Sequence, residues 1–429
     1  MRAAFYTLGC KVNQYETQIL MQNFSALGYD IVDAEQQADI YVVNSCTVTA
    51  SGDKKTRQIM RRFRRENPAA KIVLTGCFPQ AFPNAAAMLP EADVITGSYN
   101  RAGLIAALQR CLATGERVVD ITPHKRGETF ESMKAEGFYE HTRAFVKIQD
   151  GCERYCSYCI IPTARGPVRS KPLDAIKDEL ARLARQGYKE AVLVGINLSC
   201  YGSDINLRLI DAVEAACDIH GIERVRLGSL EPELLTDGDI IRLSQMDKLC
   251  PQFHLSLQSG CDATLKRMNR HYDTVEYTRI VDSLRRHFEN PAITTDIMVG
   301  FPGESDEEFE QSLQFAKNIG FAQAHIFAYS RRDGTAAAKM PNQVPQSVKA
   351  KRAELMAMAA AELKQSFLKS QIGRTEQVMF ENTQNELGTE GYTKNYTPVC
   401  VRSQHDIRRK LLTVKITGAG GDFCTGEIV

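Results

Sequence analysis

The sequence predicts an α/β protein: an N-terminal doubly wound parallel α/β domain, a central partial (β/α)6 barrel, and a C-terminal small OB-like β-barrel. Three observations predict it. Short apolar runs alternate with helix-period segments along the first and middle parts of the chain, the pattern of parallel sheets with right-handed crossovers. A polar stretch near Thr122–Glu140 separates those two parts. Past Gly373, helix formers give way to short β-rich runs with Gly and Asn between them. At 429 residues the chain is too long for a single core, and 43% apolar with 24% charged residues is globular composition. The expected units are 1–120, a linker at 121–143, a core at 144–345, a connecting helix at 346–372 and a small barrel at 373–429.

In the first unit the strands are expected at Ala3–Leu8, Ile31–Val32, Ile40–Asn44, Ile72–Thr75 and Val94–Thr96. Helices are expected at Asn13–Leu27, Lys54–Arg65, Gln80–Met88 and Arg101–Cys111. Parallel sheets of this kind place ligands beyond the carboxyl ends of their strands. Three apolar strands there run straight into a cysteine, at Cys10, Cys46 and Cys77. Cysteine is also a common buried filler, but three in equivalent topological positions point to soft thiolate ligands for iron or zinc. Lys54–Arg65 carries seven basic residues and no acid, so its helix has a cationic outer face. That face is either simply solvated or contacts RNA phosphate, with Arg61, Arg62 and Arg65 as the candidates.

The central unit opens on a strand at Ala144–Gln149 that leads into Cys152, Cys156 and Cys159. A structural zinc takes four protein ligands, and no fourth Cys or His is close in sequence. A redox Cys156–Cys159 pair would leave Cys152 unexplained. Three thiolates on one loop fit a [4Fe–4S] cluster with one iron left open. Further strands are expected at Ala191–Val194, Arg224–Leu227, Phe253–Leu257, Ile293–Val299 and Ala324–Phe327, each with a helix behind it. Catalytic groups of a parallel barrel belong at the strand ends. Gly195, Asn197, Ser256, Gln258 and Asp296 lie there, as does the run Gly228–Pro232.

The last unit follows a long helical pattern at Ser347–Gln371 and has five short strand candidates. It carries seven Lys/Arg against seven Asp/Glu, so nucleic-acid binding would rest on the cluster Arg408, Arg409 and Lys410. The net charge of the whole chain is +1, which makes the same point. No apolar stretch nears the roughly 18 residues of a membrane span. Thirteen cysteines, an odd number, suit a reducing cytoplasm better than a disulfide framework. The seven outside the two trios lack ligand spacing and read as core or surface filler, although Cys200 and Cys261 follow barrel strands.

The strand-end cysteines, the triplet preceded by Lys147–Gly151, Ser259-Gly260 and Gly300–Glu304 together resemble the radical S-adenosylmethionine methylthiotransferases. The resemblance spans essentially the whole chain. It implies two [4Fe–4S] clusters, one on Cys152, Cys156 and Cys159 and a second on Cys10, Cys46 and Cys77. It implies S-adenosyl-L-methionine as methyl donor and radical source, a C-terminal TRAM barrel, and replacement of C–H by C–SCH₃ on an adenine. Such a step is left to cofactors because acid–base groups cannot break that bond. Tyr158 is then expected against the cofactor's adenine, with Gly195, Asn197, Ser256, Gln258 and Asp296 on the rim. The implied partners are tRNA at its anticodon loop, an electron donor such as flavodoxin or ferredoxin, and a sulfur donor. Within the family, Thr7–Thr17 is similar to the branch acting on threonylcarbamoyladenosine beside the anticodon. The other readings are the isopentenyladenosine branch, a ribosomal-protein branch, and a non-catalytic RNA-binding protein held together by zinc. Pro79, Cys261 and the proline-free Tyr329–Thr335 depart from the usual family pattern without touching a ligand.

Overall fold

The computed structural model describes residues 1–132 and 142–429. Within the expected 121–143 linker, residues 133–141 lie outside the described residues. The first unit contains β1 (Arg2–Thr7), α1 (Lys11–Ala26), β2 (Asp30–Val32), β3 (Ile40–Ser45), α2 (Ala50–Glu66), β4 (Lys71–Gly76), α3 (Cys77–Ala81), α4 (Pro83–Ala87), β5 (Val94–Thr96), α5 (Ala102–Thr114) and β6 (Val118–Asp120). Its six strands are parallel in the order β2-β1-β3-β4-β5-β6. The order reverses between β1 and β3, the switch point at which such sheets open a crevice. Because β1, β3 and β4 are neighbours, the three cysteines that follow them emerge side by side.

Two expectations are corrected here. The helix expected at Gln80–Met88 is two short helices, α3 and α4, split at Phe82 (φ −133°). Pro83 causes the break, since proline disfavours helical geometry in the residue before it. The strand β6 was not expected; its three residues are too few to show a pattern.

The central unit begins with β7 (Ala144–Lys147), β8 (Gln149–Asp150), α6 (Ile161–Arg165), β9 (Arg169–Ser170), α7 (Leu173–Arg185), β10 (Glu190–Val194), α8 (Leu209–Cys217), β11 (Arg224–Leu227) and β12 (Ser229–Leu230). It continues through α9 (Asp237–Ser244), β13 (Gln252–Leu255), α10 (Asp262–Arg267), α11 (Thr274–His287), β14 (Ala292–Val299), α12 (Asp306–Ile319) and β15 (Gln323–Ala328). The expected strand Ala144–Gln149 breaks at Ile148, and β8 turns aside to pair antiparallel with β9. The sheets β7-β10-β11 and β12-β13-β14-β15 are all parallel, and a bridge from Val225 to Leu249 joins them. β11 and β12 are consecutive pieces of one line, so six strand positions form an open barrel. Val12, Tyr15 and Ile19 of α1 belong to the same apolar core as Phe145, Leu180 and Leu193, which fixes the first unit against the barrel's β7 edge.

α13 (Gln346–Ser370) leads into β16 (Thr375–Asn385), β17 (Gly388–Tyr392), β18 (Pro398–Val401), β19 (Leu411–Gly420) and β20 (Phe423–Ile428). These close into a barrel in the order β16-β17-β18-β20-β19, as the TRAM-like expectation requires. Its loops dock on buried arginines of β11: Arg224 donates to the Tyr392 carbonyl at 3.1 Å, and Arg226 to that of Lys394 at 3.0 Å. Arg224 begins β11, so the docked barrel lies at the strand-start end, away from the triplet loop. Among the described residues, no helix is long and apolar enough to cross a membrane.

Candidate metal centres between the two sheets

Cys10 is the N-cap residue of α1, Cys46 follows β3, and Cys77 opens α3. Cys10 is exposed, Cys46 half-buried and Cys77 buried. Gly9 (φ +111°) lets the first two approach: a Cβ there would stand 2.9 Å from Cys46 Cβ and 3.1 Å from its Sγ. Asn13 clamps the same crevice, with Nδ2 donating to the carbonyls of Leu8 at 2.7 Å and Ser45 at 3.2 Å. The three thiols interact electrostatically with one another, so the sheet does assemble them.

The second trio rides on the loop between β8 and α6. Gly151 (φ +76°) begins it, where a Cβ would fall 1.7 Å from the Pro167 carbonyl oxygen. Gln149 orients this loop: Nε2 donates to the carbonyls of Asp150 (2.8 Å) and Gly151 (2.7 Å) while Oε1 accepts from Asn197 N at 2.8 Å. Asn197 Nδ2 points at Cys152 Sγ, 3.7 Å away. Arg270 donates to Cys156 Sγ at 3.2 Å and is held by Glu231, by the Ser256 carbonyl and by Tyr272. Burial pushes the Cys159 thiol up to about 12, so with no metal bound it stays protonated.

The rim residues divide into groups. Asn197 stands with Cys152, and Gly195 packs against the Gln149 side chain. Ser256 joins through its carbonyl. Gln258 (φ +66°) donates from its N–H to the Asp296 carbonyl at 2.9 Å, and the Asp296 carboxylate faces His254 Nε2 at 3.4 Å. Tyr158 is half-buried, edge-on to Phe301 with ring centroids 6.3 Å apart. Cys200 lies near enough to Cys152 to act on it electrostatically, whereas buried Cys261 turns to Gln311 Oε1 at 3.2 Å. The arginines are less available than their sequence suggests: Arg61 pairs with Glu91, Arg62 with Glu35, and Arg408 with Asp406. Arg65 remains 77% exposed on its side chain, and Arg409 reaches Asn382.

Sequence reasoning missed the buried charges that join the trios. Arg165, at the end of α6 and fully buried, donates from Nε to Cys77 Sγ at 3.1 Å. Its other nitrogens reach Glu16 Oε1 at 2.6 Å and Asn13 Oδ1 at 2.6 Å. Lys147 and Arg101 also reach Glu16, each at 2.7 Å. Burial alone would raise the Glu16 pKa, but Arg101, Arg165 and Lys147 outweigh it and hold it down at about 2. Nothing in the local pattern marks these residues, because a charged side chain ordinarily reads as surface.

Residues 146–316 match the Radical SAM superfamily, and residues 2–97 match the family described as Uncharacterized protein family UPF0004. The chain is 35% identical to a threonylcarbamoyladenosine tRNA methylthiotransferase MtaB of Bacillus subtilis (strain 168), over 99% of this chain and 96% of that one. The chain belongs to the tRNA methylthiotransferase family. An Aquifex aeolicus (strain VF5) protein of the MtaB name is 37% identical over 91% of this chain and 95% of its own. A tRNA-2-methylthio-N(6)-dimethylallyladenosine synthase of Clostridium botulinum (strain Loch Maree / Type A3) is 34% identical over 98% of this chain and 95% of its own. In fold the chain is similar to the radical S-adenosylmethionine methyltransferase TsrM from Kitasatospora setae, with a TM-score of 0.55 at 14% identity over 76% of this chain and 72% of that one.

This methylthiotransferase-family chain is therefore a transferase, and its cofactors are S-adenosyl-L-methionine and two iron–sulfur clusters. The residues fit them. Each trio offers three soft thiols with a buried N–H donor aimed at one sulfur. Asn197 Oδ1 is buried with no hydrogen-bond partner among the described residues, an acceptor left for a cofactor. Among the described residues no three His, Cys, Asp or Glu converge on a single-ion site. A cubane instead spreads its thiolates over several irons.

Proposed function

We propose that the chain transfers a methylthio group to C2 of N6-threonylcarbamoyladenosine in tRNA. In this reading Cys152, Cys156 and Cys159 hold the cluster that binds S-adenosyl-L-methionine, and Cys10, Cys46 and Cys77 hold the second. When bound, these groups supply the radical, the sulfur and the methyl. The protein's own residues position and insulate them. Asn197 Oδ1 accepts from the cofactor, Tyr158 packs beside its adenine, and Gly195 leaves room over Gln149. Ser256, Gln258 and Asp296 complete the rim. A reductant such as flavodoxin or ferredoxin and a sulfur donor are required, in a cytoplasmic setting.

One observation supports the threonylcarbamoyl reading. Lys11, next to Cys10, is solvent-accessible and has no hydrogen-bond or ion-pair partner among the described residues; the protein packed around its ammonium and the nearby Arg143 and Arg226 lower its pKa to about 8, so it is still charged at neutral pH. The neighbouring cations are occupied, Arg143 by Glu381 at 2.7 Å and Arg226 by Glu190 at 2.8 Å. The threonylcarbamoyl group ends in a carboxylate that a free cation attracts; a dimethylallyl group is hydrocarbon and gains nothing from it. Phosphate contacts are best supplied by exposed Lys54 and Lys55, in the part of α2 nearest Cys46. Arg61, Arg62 and Arg65 lie about 9–17 Å further along that helix, and Arg408, Arg409 and Lys410 sit on the docked barrel as secondary contacts.

The test is nucleoside analysis of tRNA from a strain lacking the gene. The 2-methylthio derivative of threonylcarbamoyladenosine disappears while its precursor remains. Loss of the dimethylallyl derivative instead would overturn the assignment.

A further inference from the structure

The geometry points to Arg165 as the residue that sets the reduction potential of the cluster on Cys10, Cys46 and Cys77, raising it through the Nε–H bond to Cys77 Sγ. The inference rests on the ligand assignment proposed above. Arg165 is not a ligand and belongs to the other trio's segment: α6 starts two residues after Cys159, and Arg165 is its last residue. Helix α6 packs on α3, whose first residue is Cys77. The loop that carries one trio thereby delivers a guanidinium to the other.

The guanidinium has no freedom to turn away. Nε reaches Cys77 at 3.1 Å, Nη1 reaches Glu16 at 2.6 Å, and Nη2 reaches Asn13 at 2.6 Å and Glu16 at 3.0 Å. The Asp150 carboxylate lies 3.5 Å from Nη1. A planar fork suits this set of partners, and a lysine could not satisfy it. Glu16 offsets much of the charge, so the directed hydrogen bond is the larger lever. An N–H donor to a cluster sulfur favours the more negative, reduced state and moves the potential upward. Reduction adds one electron, here from dithionite, and no bond is made or broken.

The experiment uses the full chain carrying Cys152→Ala, Cys156→Ala and Cys159→Ala, reconstituted anaerobically so that only the second cluster remains. Its midpoint is read by electron paramagnetic resonance during dithionite titration. About four irons per chain are expected. Absence of iron at this stage means that the ligand assignment itself has failed, before Arg165 is touched. With iron present, Arg165→Gln shifts the midpoint to more negative potential and Arg165→Lys gives a smaller shift. An unchanged midpoint at full iron content overturns the inference. Should Arg165→Gln lose iron, Glu16→Gln/Arg165→Gln removes the stranded carboxylate as well, and the same negative shift is required of it. If both lose iron, Arg165→Lys decides: a cluster at lowered midpoint supports the tuning role. An unchanged midpoint, or no cluster, reduces Arg165 to scaffolding and overturns it.

Discussion

Cys152, Cys156 and Cys159 share one loop, whereas Cys10, Cys46 and Cys77 come from the ends of three neighbouring strands. Each trio has a buried arginine on one sulfur, backed by a glutamate: Arg270 with Glu231, and Arg165 with Glu16. The helpers are crossed. The single-loop trio draws Arg270 from far along the chain, and the dispersed trio draws Arg165 from the single-loop segment. The two glutamates also differ. Three cations close on Glu16, which stays ionised; burial raises the Glu231 pKa, and Arg270 offsets this only in part. A locally encoded cysteine trio needs the fold for its surroundings, while a dispersed one needs it for its existence.

Ligand removal separates the trios most strongly. Cys152→Ala and Cys77→Ala should each take methylthio product to background and lower iron from about eight to about four per chain. Only Cys152→Ala should also end 5′-deoxyadenosine formation, read by mass spectrometry. Loss of that product in both variants would erase the distinction.

Breaking an arginine pair comes next. Arg270→Gln leaves the half-buried Glu231 carboxylate without its ion-pair partner, at a cost of about 1.5–3 kcal/mol in urea unfolding. Glu231→Gln/Arg270→Gln should recover much of that loss.

The glycines grade the two loops. Gly151→Ala drives a Cβ into the Pro167 carbonyl and should destabilise by about 3 kcal/mol. Gly9→Ala meets only side-chain atoms, those of Cys46 and the Asn13 amide, so about 1 kcal/mol is expected, together with a weakened second cluster. Equal effects would mean that the dispersed crevice is as rigid as the loop.

The smallest effect is a pH slope. The Glu16 pKa is lowered on folding, from 4.5 to about 2, so its stabilisation is complete above 4.5 and fades as pH falls through that window. Glu16→Gln should flatten this acid limb in urea titrations of the iron-free chain. Glu231 has the opposite sign: its raised pKa favours the fold at low pH and loses that advantage as pH climbs past 4.5. Glu231→Gln should therefore make the acid limb steeper.

Much of this site could be read from particular residues. Cys152, Cys156 and Cys159 announce themselves by spacing, because nearby thiols on one loop need no tertiary contact to be grouped. Cys10, Cys46 and Cys77 were legible only through a repeated local feature, an apolar strand ending in cysteine. The Pro83 break was likewise present in the sequence, although the helical pattern around it masked it. Arg165, Glu16, Arg270 and Glu231 were not legible. A charged side chain carries no local sign of having been turned inward, and its partners lie far away along the chain: Glu16 and Arg165 meet across 149 residues.

The order of elements, the parallel character of both sheets, the closed C-terminal barrel and the two cysteine trios proposed as thiol donors follow from the sequence, since periodicity and strand-end chemistry are local properties. The tertiary structure alone decided that β1, β3 and β4 lie side by side, that α6 packs on α3, and that two arginines point at sulfur. Buried charge has to be matched in space, and only a folded chain brings such partners within hydrogen-bonding distance.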